Sequence, residues 1–185
     1  MEVAVDASPA TQTPAQLIAA AVAGDRAAFG RLVEPSLAPA LGASIAITRS
    51  HADAHDAVQD ALLAAWQGID RLRDPEAFPA WFRTLVVRSA LRVARKRGQV
   101  TELDVVRAAD AADAGLDRSL DRRLLRRAFD RLSADDRALL TLRYLWDLPV
   151  AEAAEALSIP GGTVKSRTHA AIGRLRAAFD AEARR

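Results

Sequence analysis

An all-α fold in two small domains, the second containing a helix-turn-helix, is what this sequence predicts, on three observations. Ala, Leu and Arg dominate a 185-residue chain that is 50% hydrophobic, with only 9 Gly and 8 Pro, a composition that favours helices and can bury a core. Apolar residues recur at helical spacing along most of it. One stretch, residues 98–120 (GQVTELDVVRAADAADAGLDRSL), turns acidic, Ala-rich and poorly periodic, and reads as a flexible linker between a domain at 14–97 and another at 121–185.

Taken in order, residues 1–13 (MEVAVDASPATQT) have little periodicity and read as a disordered tail. Leu17, Ile18, Ala21 and Val22 mark a short helix from Pro14 that Gly24 ends, and Asp25 caps the next, whose inward face is Phe29, Leu32 and Val33. Pro35 and Pro39 are expected to interrupt it, before an apolar segment at 40–48. Residues 51–70 form an amphipathic helix with Val58, Leu62, Ala65, Trp66 and Ile69 inward, and 74–97 another with Phe82, Val86, Ala90 and Val93 inward. In the second domain Leu124, Leu125, Ala128, Phe129 and Leu132 share a face, Ser133 opens a helix carrying Leu139, Leu140, Leu142 and Tyr144, and Trp146–Pro149 turns the chain.

Net charge is only +2, yet the charges are sorted into blocks: four Asp and no Lys or Arg in 51–70, eight basic against two acidic residues in 71–98, six acidic against two basic in 101–121. Such sorting suits opposite faces for different partners. Cysteine is absent, which excludes disulfides and thiolate metal sites. No apolar run is long enough to span a bilayer and no leader-like pattern opens the chain, so membrane insertion is not expected and the cytoplasm is the expected compartment. No nucleophile–base pair, phosphate loop or metal cluster emerges, and Gly161-Gly162 lacks the Lys-Ser/Thr sequel of a phosphate loop. His51 and His55 stand one helical turn apart without a third ligand. The sequence therefore points away from an enzyme, a metal, a cofactor or a small-molecule substrate.

Three helical faces remain as candidate sites. Asp53, Asp56 and Asp60 lie at i, i+3 and i+7 beside Gln59, a row of like charges that suits a basic partner helix or, more plainly, solvent. Trp81, Arg88, Arg92 and Arg95 lie at i, i+7, i+11 and i+14 with Thr84 nearby, an aromatic at the head of an arginine row, which suits stacked bases and phosphates unless Trp81 belongs to the core. The stretch from Leu148 to Arg176 is helix, break at Ser158–Gly161, helix. Val164, Thr168, Ala171, Ile172 and Leu175 face inward, leaving Lys165, Ser166 and His169 outward and Arg167 on the flank. Gly161, Gly162 and Thr163 open that helix with small residues, so its free N–H groups can approach a phosphate, and a major groove admits one such helix.

The segments GDRAAFGRLV, DAHDAVQDALLAAW and AWFRTLVVRSALRVARKR in the first half, and LSADDRALLTLRYLWDLPVAEAAEALSIPGGTVKSRTHAAIGRLR in the second, resemble a bacterial RNA polymerase sigma factor of the extracytoplasmic-function (ECF) group of the sigma-70 family. The resemblance covers roughly residues 25–97 and 121–178 and implies a non-catalytic specificity subunit with a region 2-like and a region 4-like domain. It implies that Asp53, Asp56, Gln59 and Asp60 dock on the coiled coil of the largest subunit of core RNA polymerase. It implies that Trp81, Thr84, Arg88, Ser89, Arg92 and Arg95 open and read the promoter −10 element. It implies that Gly162, Thr163, Lys165, Ser166, Arg167 and His169 read the −35 element, with Arg174 and Arg176 on phosphates. An anti-sigma partner is also implied. Ser89 stands where Asn is frequent, Val93 near a frequent Asp, Ala170 and Ile172 where Arg is frequent, and His55 in place of an acidic residue.

The rival reading is a stand-alone helix-turn-helix regulator that never docks on polymerase. A further expectation concerns arrangement: with a flexible linker and an acidic helix able to attract basic surfaces, the free chain holds its two domains differently from their promoter-bound placement.

Overall fold

The computed structural model describes residues 12–100 and 120–184, and every regular element among them is helical. The expected disordered tail lies almost wholly outside these residues, as does most of the expected linker. Helix α1 (Pro14–Val22) starts in a reciprocal cap: Gln16 N–H donates to Thr13 Oγ1 while Thr13 N–H donates to Gln16 Oε1. Gly24, with φ of 96°, supplies the left-handed turn that ends it, and the Asp25 carboxylate accepts the N–H groups of Ala27 and Ala28 to open α2.

Helix α2 (Arg26–Thr48) runs 23 residues straight through Pro35 and Pro39, contrary to the expected interruption. An interior proline costs about 3 kcal/mol, through a lost N–H donor and the ring's crowding of the carbonyl one turn back. Here both prolines sit on the exposed face, one turn apart, where water can satisfy the orphaned carbonyls. On the opposite face Leu32, Val33, Ala40, Ala43 and Ile47 are buried and carry the helix through. Arg49, in left-handed backbone at φ 63°, ends it.

Ser50 caps α3 (His51–Gly68) by accepting from Asp53 N–H, and an Asp74-capped turn leads into α4 (Phe78–Val100). Helices α1 to α4 close on one core in which Phe78 stacks on Phe82 at 5.9 Å and Phe29 meets Trp66 edge-on at 5.2 Å. The expected inward faces of α3 and α4 are in place, with Leu62, Trp66 and Val93 only partly buried.

The second half comprises α5 (Leu120–Asp130), α6 (Ala134–Leu140), α7 (Val150–Leu157) and α8 (Gly161–Ala183). Ser133 caps α6 by accepting from Asp136 N–H. Two apolar residues expected inward face out: Leu125 is 48% exposed and Tyr144 62%. Tyr144 turns away because residues 141–145 form a wide turn, closed by Trp146 N–H donating to Thr141 O, which shifts the helical phase past Leu142. Arg143 then donates to Leu148 O, fixing the entry to α7. Helix α8 is tied to α6 by a two-pronged pair, Arg174 Nε and Nη2 donating to Asp136 Oδ2 and Oδ1 at 2.8 and 2.7 Å.

The two halves share an apolar cluster. Ile47, Ala57, Val87 and Ala90 from the first pack with Ala138, Leu139, Leu142 and Ala153 from the second, so that α7 lies on α4 and α6 on α2 and α4. Beside this cluster Arg137 is buried, donating from Nε to Ile47 O at 2.9 Å and from Nη1 to Leu132 O. Burial, and secondly the nearby Arg49, pushes its guanidinium down to about 10, which leaves it cationic at neutral pH.

Phe82→Ala empties a fully buried site and should cost about 3–5 kcal/mol in a denaturant titration. Asp136→Ala and Arg174→Ala should each lower the melting temperature, and the double variant should melt no lower than the worse single one, because both remove the same pair.

Candidate nucleic-acid interface

The helix-turn-helix is built by two local features. Ser158 adopts left-handed backbone at φ 54° and caps α7, its N–H and that of Ile159 donating back to Glu155 O and Ala154 O. Pro160 then fixes the entry to α8 and contributes no side-chain cap, so the N–H groups of Gly161, Gly162 and Thr163 point outward from the helix start without an intrahelical partner. A Cβ added at Gly162 would meet nothing within 4 Å, so the first turn is open to an approaching backbone or phosphate.

Along α8, Val164 and Ala171 are buried, and Thr168, Ile172 and Leu175 partly so. Lys165, Ser166, Arg167 and His169 are exposed, Thr163 half-exposed. Ser166 Oγ donates locally to Thr163 O at 3.2 Å. Arg176 is exposed, whereas the guanidinium of Arg174 is held by Asp136, which raises its already high pKa and directs it along the α6–α8 seam.

The basic row of α4 lies differently. Trp81 is half-buried, packed beside Phe78 and over Gly68, so it belongs to the first core. Thr84 Oγ1 donates to Ala80 O, and Ser89 is 6% exposed. Arg88 reaches into the second half: Nε donates to Ala156 O at 3.3 Å, and Nη2 to Glu155 O and Ser158 Oγ at 3.1 and 3.0 Å. Arg95 pairs with Asp135 at 2.5 Å. Arg92 turns to the acidic helix and pairs with Asp60 at 2.8 Å.

On α3, Asp53 pairs with Arg97, while Asp56 and Gln59 are exposed. The acidic face is therefore adjacent to the basic row of its own domain and partly neutralised by it. His51 and His55 are exposed, and no group of three metal-ligating side chains occurs among the described residues. No described helix is long and apolar enough to cross a membrane.

Sequence reasoning missed the residues that join the halves: Arg137, Asp135, Glu152 and Trp146. Arg137 sits at the edge of the apolar run Ala138–Leu140, a position where a charge must find partners, but nothing in the sequence says that its acceptor lies 90 residues earlier. A groove of about 700 Å³ opens between the halves, lined among others by Leu91, Arg95, Leu139, Leu157, Arg167 and Arg174.

Comparison with known proteins adds independent weight. The family model Sigma-70 region 2 matches residues 33–100, and Sigma-70, region 4 matches 122–175. The ECF RNA polymerase sigma factor SigM of Mycobacterium tuberculosis is 33% identical over 167 residues, 89% of this chain and 83% of its own length. SigL of the same species, also an ECF RNA polymerase sigma factor, is 32% identical over 86% of this chain and 93% of its own. Among solved structures, the sigma factor RpoE of Bartonella quintana, in complex with the anti-sigma factor NepR, is similar with a TM-score of 0.66 at 28% identity, over 82% of this chain and 96% of that one. The region 2 match removes the reason for a stand-alone regulator, since it assigns to polymerase work the half that such a regulator would use for sensing or dimerising. With both regions matched in order around a helix-turn-helix whose outward face is open, this chain belongs to the ECF group of the sigma-70 family, non-catalytic factors that direct RNA polymerase to promoters.

Proposed function

We propose that this sigma factor divides its work among three surfaces carried by a domain at 14–97 and another at 121–185, joined through 98–120. In the first, Asp53, Asp56, Gln59 and Asp60 on α3 dock on the coiled coil of the largest polymerase subunit. The second is α4, where Arg88, Arg92 and Arg95, with Thr84, Trp81 and Ser89 on their flank, engage the −10 element and help to open it. Thr84, Trp81 and Ser89 are supporting residues in this reading, because they are partly or fully buried. The third is α8, where Gly162, Thr163, Lys165, Ser166, Arg167 and His169 meet the −35 element in the major groove and Arg176 a phosphate. Arg174 positions α8 through Asp136, although its exposed edge can still reach a phosphate.

The single observation that carries the reading is the exposed row Lys165, Ser166, Arg167 and His169 standing over buried Val164 and Ala171 at the open start of α8. Phosphate contacts by such a row set position and a few side chains set choice of base. Affinity for DNA by the chain alone is modest, since its net charge is only +2. Polymerase raises it by holding both domains against one promoter, where the second contact becomes intramolecular. The factor acts in the cytoplasm beside polymerase, and an anti-sigma protein is a fitting partner, since the Bartonella relative forms a complex with the anti-sigma factor NepR.

Transcription in vitro with core polymerase and a pool of random promoters tests the whole reading: addition of the protein should create new start sites sharing two spaced elements. Lys165→Ala and Arg167→Ala should each flatten the salt dependence of promoter binding by about one unit of slope per phosphate contact removed. Asp56→Arg combined with Asp60→Arg should abolish association with core polymerase in a pull-down while far-ultraviolet circular dichroism stays unchanged.

A further inference from the structure

We propose that α5 is a fourth contact surface, a phosphate-binding face that grips the duplex flanking the −35 element while α8 occupies the major groove. The proposal rests on the reading of α8 as the −35 helix and adds a second element that holds the same DNA.

Helix α5 is short, 11 residues from Leu120 to Asp130, and strongly sided. Ala128 is buried and Phe129 half-buried, and Phe129 joins Leu132, Ile172 and Leu175 in one apolar cluster that seats α5 on α8. Opposite Ala128 on the helix stand Arg122, Arg123, Arg126 and Arg127, all exposed. Among the described residues none of the four takes part in a hydrogen bond or an ion pair. The acid one turn on, Asp130, is engaged by Arg49 at 3.7 Å. Arg122 with Arg126 and Arg123 with Arg127 form two like-charged pairs one turn apart, a spacing that opposes helix formation. Compensation for that repulsion has to come from outside the chain, from a partner dense in negative charge.

The spacing of the charges names the partner. Four guanidiniums fall within five residues of rise, about 7.5 Å of helix axis. Duplex DNA carries one phosphate charge per roughly 1.7 Å of its axis, about four in the same length. A protein helix or strand that set four carboxylates so close together would itself be destabilised by their repulsion. Position supports the same partner. Ala171, Ile172 and Leu175, the part of α8 that meets Phe129 and Leu132, begin just past His169 and the proposed −35 row. Packed helices stand about 8–10 Å apart, axis to axis, so α5 travels with the recognition helix when that helix enters the groove, and its arginine face comes beside the same duplex. Leu120 and Leu125, also exposed on α5, would serve an apolar protein partner instead, and the test separates the two.

Arg122→Gln, Arg123→Gln, Arg126→Gln and Arg127→Gln together remove the charges, keep side chains that favour a helix and leave the three other surfaces untouched. Affinity of the full chain for a duplex pool of random sequence should be measured across a range of salt. Plotted as log affinity against log salt, the slope should shrink by about two to four units, one for each phosphate contact removed. A control with Arg26→Gln, Arg71→Gln, Arg73→Gln and Arg184→Gln takes the same charge from exposed positions elsewhere and should stay within about one unit of the parent. Equal losses in the two variants would overturn the proposal, because net charge alone would then account for the effect. An α5 variant that keeps the parent's slope would overturn it too, and if that variant also failed to co-purify with core polymerase the face would belong to a protein partner. Lys165→Ala with Arg167→Ala in the same assay keeps the two readings apart. A slope that falls for the α5 variant but not for this one would sink the assignment of α8, with α5 still standing as a DNA-binding face.

Discussion

A buried guanidinium has to find acceptors, and the one on Arg137 finds them in both halves of the chain at once, at Leu132 O in its own and at Ile47 O in the other. That constraint orders much else. Leaving such a cation unpaired in an apolar seam would cost several kcal/mol, so α6 can pack beside the end of α2 only in the register that supplies the carbonyl. With α6 so placed, Leu139 and Leu142 meet Ile47 and Val87, α7 comes to lie on α4, and the last carbonyls of α7 fall within reach of Arg88. The apolar cluster supplies non-directional attraction and the arginines supply the geometry.

The same economy of charge explains why the three proposed surfaces differ in the free chain. The acidic face of α3 and the basic row of α4 are neighbours and partly satisfy each other through Asp60–Arg92 and Asp53–Arg97. Exposed pairs of this kind hold loosely and can be traded for a partner's charges at little cost. The outward row of α8 has no acidic neighbour between Gly161 and Arg176 and stays available. Asp136 is buried enough to need a partner and takes Arg174, which ties α8 to α6.

Local patterns were legible where packing followed the helical period. Val58, Ala65, Phe82, Val86 and Val164 all face the cores that their spacing indicates, and the caps at Asp25 and Ser133 are where their side chains imply. The helix-turn-helix and the face of α8 left to solvent could be read for the same reason. Four kinds of information were not local. Pro35 and Pro39 are tolerated because both land on the wet face of α2, which depends on what packs opposite. Tyr144 leaves the core because a wide turn alters the helical phase, and no residue type announces that turn. Trp81 and Ser89 share a helix with exposed arginines yet belong to the buried side, so a helical wheel places the arginines better than it places the residues on their flank. The joint between the halves was the least legible of all, because Arg88 and Arg137 reach across sequence separations of 67 to 90 residues, and periodicity carries no information on that scale.

Arg88 and Arg95 carry contacts between the halves in the free chain, and both belong to the face proposed to meet the −10 element. The account therefore stands on the arrangement of the two halves in the absence of polymerase. Small-angle X-ray scattering of the free protein at low salt measures it most directly. A single-body curve, with a radius of gyration close to the roughly 16 Å of a compact chain this long, is the predicted result; a two-body curve with a much larger radius, unchanged between low and high salt, would contradict it.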